Sequence, residues 1–479
     1  MYNQSFTAET FQEIFDKENR KGKNIEDRFK VDFEESLKAL KFLKETNREL
    51  RLEDDFTKRI DLYEQKKELK NEREKLIRKA LEDTATKVAK VRAIKLIKGK
   101  VYGKQSFSLE NNIENFFISK KVQQNILKSY SVKQSNRYSL LSELINLLED
   151  GFPKFVIRTD LRAFYESIPQ KMLRDKINGD HLLNVKTKQF INIVLDSYNN
   201  LTNQDDLNQA KGVPRGVGFS SYLSELFMRK IDNKLKKLSD VVYYARYVDD
   251  IIIIFIPKSK GVSEQYLTQY KTNVMDVVKD ESNGFLELNT KKTKEYNLLE
   301  GLETINLSND TPYIIDYLGY KIGSLDNKLK TLLSDKKTKK YKDKIKVAFE
   351  DFKKKKRHNR KESFKLLKAR LDYLTSNTKL RNNKDKVFVG VYYSNSFLNC
   401  DDSLLVLQKY LNWYIGRAGL TDKELSNLKN FDFVANFHSR KFQPFPIRKK
   451  LYKNCNDRDS DNKGVVQYGL TEINSIWKK

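Results

Sequence analysis

The period of apolar positions changes three times along the chain. Up to residue 98 it is helical. Phe33, Leu37, Leu40 and Leu43 recur three or four apart, the spacing of one helix face. A looser stripe follows through Leu52, Phe56, Ile60, Leu69, Leu76 and Leu81. Charges of alternating sign lie between them, as in DDFTKR and KNEREK. This pattern predicts a helical hairpin or arm with a solvated face, available for docking RNA or a partner protein. GKVYGKQSFS (99–108) reads as turn and strand, and RYSLLSELINLLED (137–150) as an amphipathic helix stopped by Gly151 and Pro153.

From 154 to 325 the period shortens. KFVIRTD (154–160) is a short strand, VVYYARYVDDIIIIFI (241–256) is two apolar strands with a polar interruption, and YIIDYLGYKI (313–322) is a third β segment. Helical stretches such as YLSELFMRKIDNKL (222–235) alternate with them, which implies a core of mixed helix and strand. Residues 336–370 hold 17 Lys/Arg against 4 Asp/Glu, a net +13, yet Tyr341, Ile345, Phe349 and Phe352 keep an apolar stripe. A folded, basic helix pair is expected there. A β-like island, VFVGVYY (387–393), and an aromatic stretch over 431–445 follow. The expected domains are a helical charged extension (1–98), a central mixed domain (99–325) and a basic helical C-terminal domain (326–479).

Composition narrows the function. The 479 residues carry 93 Lys/Arg and 65 Asp/Glu, a formal net charge of +28, which calls for a polyanionic partner. Two cysteines, Cys400 and Cys455, exclude a disulfide scaffold and fit a reducing cytosol. His181, His358 and His438 are scattered and no CxxC occurs, which disfavours zinc. The longest apolar run, Ile251–Ile256, is far short of the roughly 18–20 residues of a membrane span. The start lacks the basic and apolar regions of a signal peptide. A soluble, cytoplasmic chain with no membrane partner is expected. The nearest Walker-like string, GKVYGKQS, has too short a spacer for a phosphate loop.

The chemistry concentrates in carboxylates. Asp249 and Asp250 interrupt apolar strands, where acids are costly unless a turn or a cation accommodates them. Asp160 ends another strand and is followed by LRAFYESIP. Carboxylates converging from two strands suit a two-metal site for in-line phosphoryl transfer.

These strings resemble the motifs of reverse transcriptases, in order. DLRAFYESIP (160–169) resembles motif A, GVPRGVGFSSYLSELFM (212–228) motif B, YVDD (247–250) motif C, LELNTKKT (286–293) motif D and YLGY (317–320) the motif E primer grip. The resemblance implies an α+β right-hand polymerase of fingers, palm and thumb, with an antiparallel palm sheet and helical extensions. It implies an RNA-directed DNA polymerase that joins dNTPs using two Mg²⁺ ions, with Mn²⁺ as a substitute. Asp160 and Asp249 would ligate metal, with Asp250 in support and the Leu161 backbone within reach. Tyr165, beside Phe164, would be the gate against ribose. Arg215 and Gly216 would close over the nucleotide after Pro214. Lys292 would be a general acid near the pyrophosphate, and Lys133 and Arg137 triphosphate contacts. Tyr317, Leu318 and Gly319 would place the primer end. Many members have Gln where this chain has Arg215. Lys353, Lys354, Lys355, Lys356 and Arg357 would grip nucleic acid.

No integrase, RNase H or endonuclease signature appears. NQSFTAETFQEIFDKENRKG, RLDYLTSNTKL and VFVGVYYSNSFL resemble bacterial defence-associated and abortive-infection reverse transcriptases, in particular the first polymerase subunit of the type 3 systems. That branch implies a noncoding RNA, a DNA product, a second reverse transcriptase subunit or a homo-oligomer, and a role in antiphage defence. Template-independent or protein-primed synthesis, an RNA polymerase on the same scaffold, and a non-catalytic RNA-binding subunit are the alternatives.

Overall fold

The computed structural model describes residues 2–101, 103–259, 263–305, 307, 314–382, 385–444 and 469–477. Four helices open the chain: α1 (Ala8–Arg20), α2 (Ile25–Arg28), α3 (Glu34–Leu52) and α4 (Phe56–Lys90). Asp55 starts α4 by accepting the Lys58 amide, as an N-cap carboxylate does. The antiparallel hairpin of β1 (Leu96–Val101) and β2 (Lys104–Leu109) precedes α5 (Ile113–Tyr130) and α6 (Arg137–Glu149). Then come β3 (Lys154–Asp160), α7 (Phe164–Ser167), α8 (Gln170–Gly179), α9 (Val185–Thr202), α10 (Ser220–Leu235), β4 (Val241–Tyr247), β5 (Asp250–Phe255) and α11 (Glu264–Asp280). The second half holds β6 (Lys294–Leu298), β7 (Ile315–Tyr317), β8 (Tyr320–Leu325), β9 (Lys328–Leu333), α12 (Asp335–Lys355) and α13 (Arg360–Thr375). It closes with β10 (Asn377–Asn382), β11 (Asp385–Gly390), α14 (Asp402–Gly416), α15 (Asp422–Leu428), α16 (Phe433–Ser439), β12 (Phe442–Pro444) and α17 (Leu470–Asn474).

The chain forms two compact units. The first comprises residues 1–137 and 154–295, the second 138–153 and 296–479. In the first, β5 lies between β4 and β3, antiparallel to both, and the sheet order is β4-β5-β3-β6. Ile251, Ile252, Ile253, Ile254 and Phe255 are all buried, so β5 is a central strand covered on both faces. Tyr270 of α11 stacks on Phe255 at 4.2 Å. The expected two strands around the YVDD turn are present.

The N-terminal helices are part of this unit. Phe11 of α1 stacks on Phe117 of α5 at 4.7 Å, and Phe29 lies 5.5 Å from Phe116. The expected apolar stripe is only partly buried. Phe33 and Leu81 are in the core, whereas Leu52, Phe56 and Ile60 are exposed where α3 turns into α4. Glu18 fastens α1 to α5. Its buried carboxylate meets Lys21, Lys23 and Lys120 at 3.0, 2.6 and 3.2 Å.

The second unit contains two three-stranded sheets, β7-β8-β9 and β11-β10-β12. The basic segment folds as the expected helix pair. Ser334 caps α12 and Asn359 caps α13 through their side chains. Ile345, Phe349 and Phe352 are buried, and Phe349 stacks on Tyr414 of α14 at 5.3 Å. Arg370 is 1% exposed and pairs with Asp351 at 2.6 Å. Cys400 is a half-buried free thiol. Cys455 and Phe445 lie outside the described residues. Among the described residues no helix is long and apolar enough to cross a membrane.

Burial alone would raise the Glu18 pKa, but Lys23, Lys21 and Lys120 outweigh it and draw the carboxyl down to about 2. A depressed acid stabilises the fold above its unfolded value near 4.5, and that contribution is lost as pH falls toward 2. Urea unfolding should therefore show Glu18→Gln clearly less stable than the parent at pH 6. The gap should narrow steadily below pH 4.5.

Candidate active site

The sheet register assembles the carboxylates. Asp160 is paired directly with Asp250 across β3 and β5. Residues opposite each other in an antiparallel pair project to the same face, and Arg158, two before Asp160, shares that face. Accordingly Arg158 donates to Asp250 Oδ1 at 2.6 Å. Tyr247 pairs with Asp250, which leaves Val248 and Asp249 as a two-residue turn. The Leu161 amide donates to the Asp249 carbonyl at 3.0 Å, locking this turn against the end of β3.

The turn is strained. Val248 has φ +62°, a region that a β-branched residue avoids. What holds it is Arg246, whose side chain is 4% exposed. Its Nη1 donates to the Val248 carbonyl at 2.9 Å and to Glu225 at 3.1 Å. Nη2 reaches Glu225 and Asp232 at 2.7 Å each, and Nε reaches Asp232 at 2.8 Å. Every guanidinium donor is used. Tyr244 completes the network by donating to Asp232 at 2.6 Å. Glu225 and Asp232 both lie on α10, so motif B's helix carries the clamp for motif C.

Motif D supplies a cation. Lys292 Nζ lies 2.7 Å from Asp160 Oδ2. Its loop is fastened by the Asn289 amide on the Asp160 carbonyl at 2.8 Å and by Thr159 on Thr293 at 2.7 Å. Burial pushes the Asp250 carboxyl above its ordinary pKa; Arg158 opposes this, and Asp249 and Asp160 reinforce it.

Motifs A and B are interlaced. The Gly212 and Val213 amides donate to the Ile168 and Tyr165 carbonyls at 2.7 and 2.8 Å. Arg215 forms a fork on Glu166, with both hydrogen bonds 3.0 Å long, and its guanidinium sits 5.2 Å from the Tyr165 ring centre. Gly216 has φ +103°, and a Cβ there would fall 2.6 Å from the Phe107 carbonyl oxygen, so glycine is required where this loop meets β2. Tyr165 is half-buried; burial, then Glu225, raises its phenol pKa.

For a divalent cation the donors fit in part. Asp160 Oδ1 is buried without a hydrogen-bond partner, and no hydrogen bond or ion pair engages the Asp249 carboxylate among the described residues. Asp250 is instead occupied by Arg158. Among the described residues no group of three His, Cys, Asp or Glu side chains stands in metal-holding geometry. The residues available to a cation are thus Asp160 and Asp249, with Asp250 one short displacement from joining them.

Residues 109–322 match the model of the family described as reverse transcriptase (RNA-dependent DNA polymerase). This segment is a reverse transcriptase domain. It is the domain of RNA-directed DNA polymerases, which are nucleotidyltransferases, and it spans a little under half of the chain. Two solved structures share a limited likeness. One is apo telomerase from Candida Tropicalis truncated from its C-terminal domain: 14% identity, 50% of this chain, 54% of that chain, TM-score 0.32. The other is telomerase from Candida albicans in complex with a TWJ fragment of telomeric RNA: 13% identity, 74% of this chain, 64% of that chain, TM-score 0.33. The chain therefore spans less than two thirds of either structure. No curated protein matches it.

Several residues singled out from the sequence stand elsewhere. Phe164 is 2% exposed and packs in the core, because α7 turns it inward while Tyr165 stays at the surface of the cleft. Lys133 is exposed in the link before α6, and Arg137 begins that helix. Tyr317 is fully buried, so its ring is core; the YLGY turn presents Leu318 and Gly319, with φ +45° and +83°. Lys356 donates to the Ala418 carbonyl and Lys355 pairs with Asp351 at 3.0 Å, whereas Lys353, Lys354 and Arg357 are exposed. Arg158, Glu166, Glu225, Asp232 and Arg246 were not singled out. Arg246 carried the clearest signal, a charge inside the apolar run VVYYARY.

Arg246→Ala leaves Glu225 and Asp232 buried without their cation, which should cost about 3–5 kcal/mol in chemical denaturation. Arg246→Lys should recover part of that stability but not the fork on Val248, so polymerisation should fall more than the melting temperature does.

Proposed function

We propose that the protein is an RNA-directed DNA polymerase whose catalytic carboxylates are Asp160 and Asp249, assisted by Asp250. The observation that carries this reading is the pairing of Asp160 with Asp250 beside the Val248–Asp249 turn, within the matched domain. Mg²⁺ ions held there, two in the full reaction and replaceable by Mn²⁺, would activate the primer 3′-hydroxyl and neutralise the departing pyrophosphate. Lys292, already on Asp160, is placed to protonate or neutralise the leaving group. Tyr165 would exclude a 2′-hydroxyl. Glu166 orients Arg215, which makes this arginine a positioned partner for the incoming triphosphate and no loose surface charge.

Residues 99–325 serve in this reading as fingers and palm, and the basic α12–α13 pair as thumb. The net charge of +28 supports a nucleic-acid substrate, RNA template and DNA product. The branch-specific strings at the start of the chain and after α13 support a bacterial antiphage role with a noncoding RNA template and a second reverse transcriptase subunit. Cytoplasmic action follows from that role.

Purified protein with its co-purifying RNA should incorporate dNTPs and stop on chelation of divalent metal. Asp249→Ala should reduce incorporation to background while RNA binding persists. Activity equal to the parent would remove Asp249 from the mechanism. Incorporation without RNA would favour the template-independent reading, and no incorporation under any condition a binding subunit. Tyr165→Ala should reduce discrimination against rNTPs about tenfold, about 1.4 kcal/mol. Reversing the charges of Lys353, Lys354 and Arg357 should flatten the salt dependence of RNA affinity; an unchanged slope would place the grip elsewhere.

A further inference from the structure

The second unit contains a cavity of about 280 Å³ that none of the motifs uses. One wall is α12. Lys337, Lys340, Tyr341 and Lys344 are spaced three, four and seven apart, so they share one helix face. Tyr373 of α13 and Gly390 of β11 line the rest. Gly390 pairs with Asn377 across β10 and β11 and has φ +139°; a Cβ there would lie 2.4 Å from the Asn377 Cα. That wall is therefore bare backbone, kept open by glycine.

The charge in the cavity is uncompensated. No carboxylate lines it. Lys337 donates to the Ser394 carbonyl at 2.8 Å and lies 4.7 Å from the Tyr320 ring centre. Lys340 and Lys344 have no ion pair among the described residues. Lys344 rests 5.1 Å from the Trp477 ring centre, and the Trp477 indole donates to the Lys344 carbonyl at 3.1 Å. Burial, and then the neighbouring Lys340, lowers the Lys344 pKa. Ammoniums gathered against aromatic rings with no acid nearby are stabilised by an anion that enters between them.

The form of the anion follows from charge and size. A phosphomonoester carries about two negative charges at neutral pH, an internal phosphodiester one. Three ammoniums match the former better. Ligand pockets begin at roughly 300 Å³, so this one has room for a single phosphate and part of its nucleoside. Tyr373, stacked on Trp477 with ring centres 6.4 Å apart, offers an aromatic wall for a sugar or base. Exposed Lys336 and Lys339 continue the basic surface along α12, as a polymer would need and a free nucleotide would not.

We propose that this cavity binds the 5′-terminal phosphate of an RNA strand, recognising the monoester end and not the internal backbone. The proposal rests on the nucleic-acid-binding part of the preceding reading and is independent of catalysis. The probes are a short RNA with a 5′-phosphate, the same RNA with a 5′-hydroxyl, and AMP. The chain has two tryptophans, so Trp413→Phe leaves Trp477 as the fluorescent reporter. The 5′-phosphorylated RNA should bind at least tenfold more tightly than the hydroxyl form and perturb Trp477 emission. Lys340→Gln with Lys344→Gln should abolish the preference at unchanged melting temperature and unchanged dNTP incorporation, and Lys340→Glu alone should weaken it. Equal affinity for the two ends, or a preference that survives the double substitution, would overturn the proposal. AMP binding as tightly as the phosphorylated RNA would overturn the terminal-strand assignment in favour of a free nucleotide. Absence of dNTP incorporation with the end preference intact would count against the polymerase reading alone.

Discussion

Three carboxylates meet at the end of one β-hairpin, and their mutual repulsion is the constraint that the surrounding structure answers. Asp160, Asp249 and Asp250 cannot all be ionised and buried without nearby positive charge. Two cations provide it. Lys292 comes from the motif D loop to Asp160, and Arg158 reaches Asp250 along the strand face. Both bonds have a second consequence. They hold the acids in position before a metal arrives, and a metal would have to compete with them. The orphaned oxygen of Asp160 and the unengaged Asp249 are where that competition would begin.

The same hairpin stores backbone strain. A valine with positive φ is unfavourable in isolation, by roughly 1–3 kcal/mol. It persists here because Arg246 bonds the Val248 carbonyl while two acids of α10 fix the guanidinium. Motif B's helix and motif C's turn are thereby one mechanical element. Motif A joins them through the Tyr165 and Ile168 carbonyls, and Glu166 through Arg215. Displacement of any one motif would be felt by the other two.

Charge is used differently in the second unit. There the acids that accompany the basic helices are few and specifically placed, as Asp351 is between Arg370 and Lys355. Most of the lysines are left to solvent or gathered around a cavity. A net +13 over 35 residues is compatible with a folded helix pair because the apolar face of α12 is buried while its ammoniums spread over the remaining circumference.

Much of this was legible in the sequence. The apolar run after YVDD could only be a central strand, because five consecutive buried residues need cover on both faces. The order of the motifs identified the domain, and the acids at 160, 249 and 250 were visible as charges in apolar surroundings. The stripe on α12 predicted a folded helix within a basic tract. What the sequence could not determine was which charges meet. Lys292 is one of several lysines in KKTKE, and only the loop docked by Asn289 and Thr293 selects it. Phe164 and Tyr165 are adjacent aromatics whose roles separate only when α7 packs one ring inward. Glu166 and Arg215 lie 49 residues apart, and Arg246 and Glu225 lie 21 apart. Periodicity is local and announces helices and strands. Ion pairs, the clamp on a strained turn and a cavity without acids depend on contacts between distant segments, so they come into being only when the chain has folded.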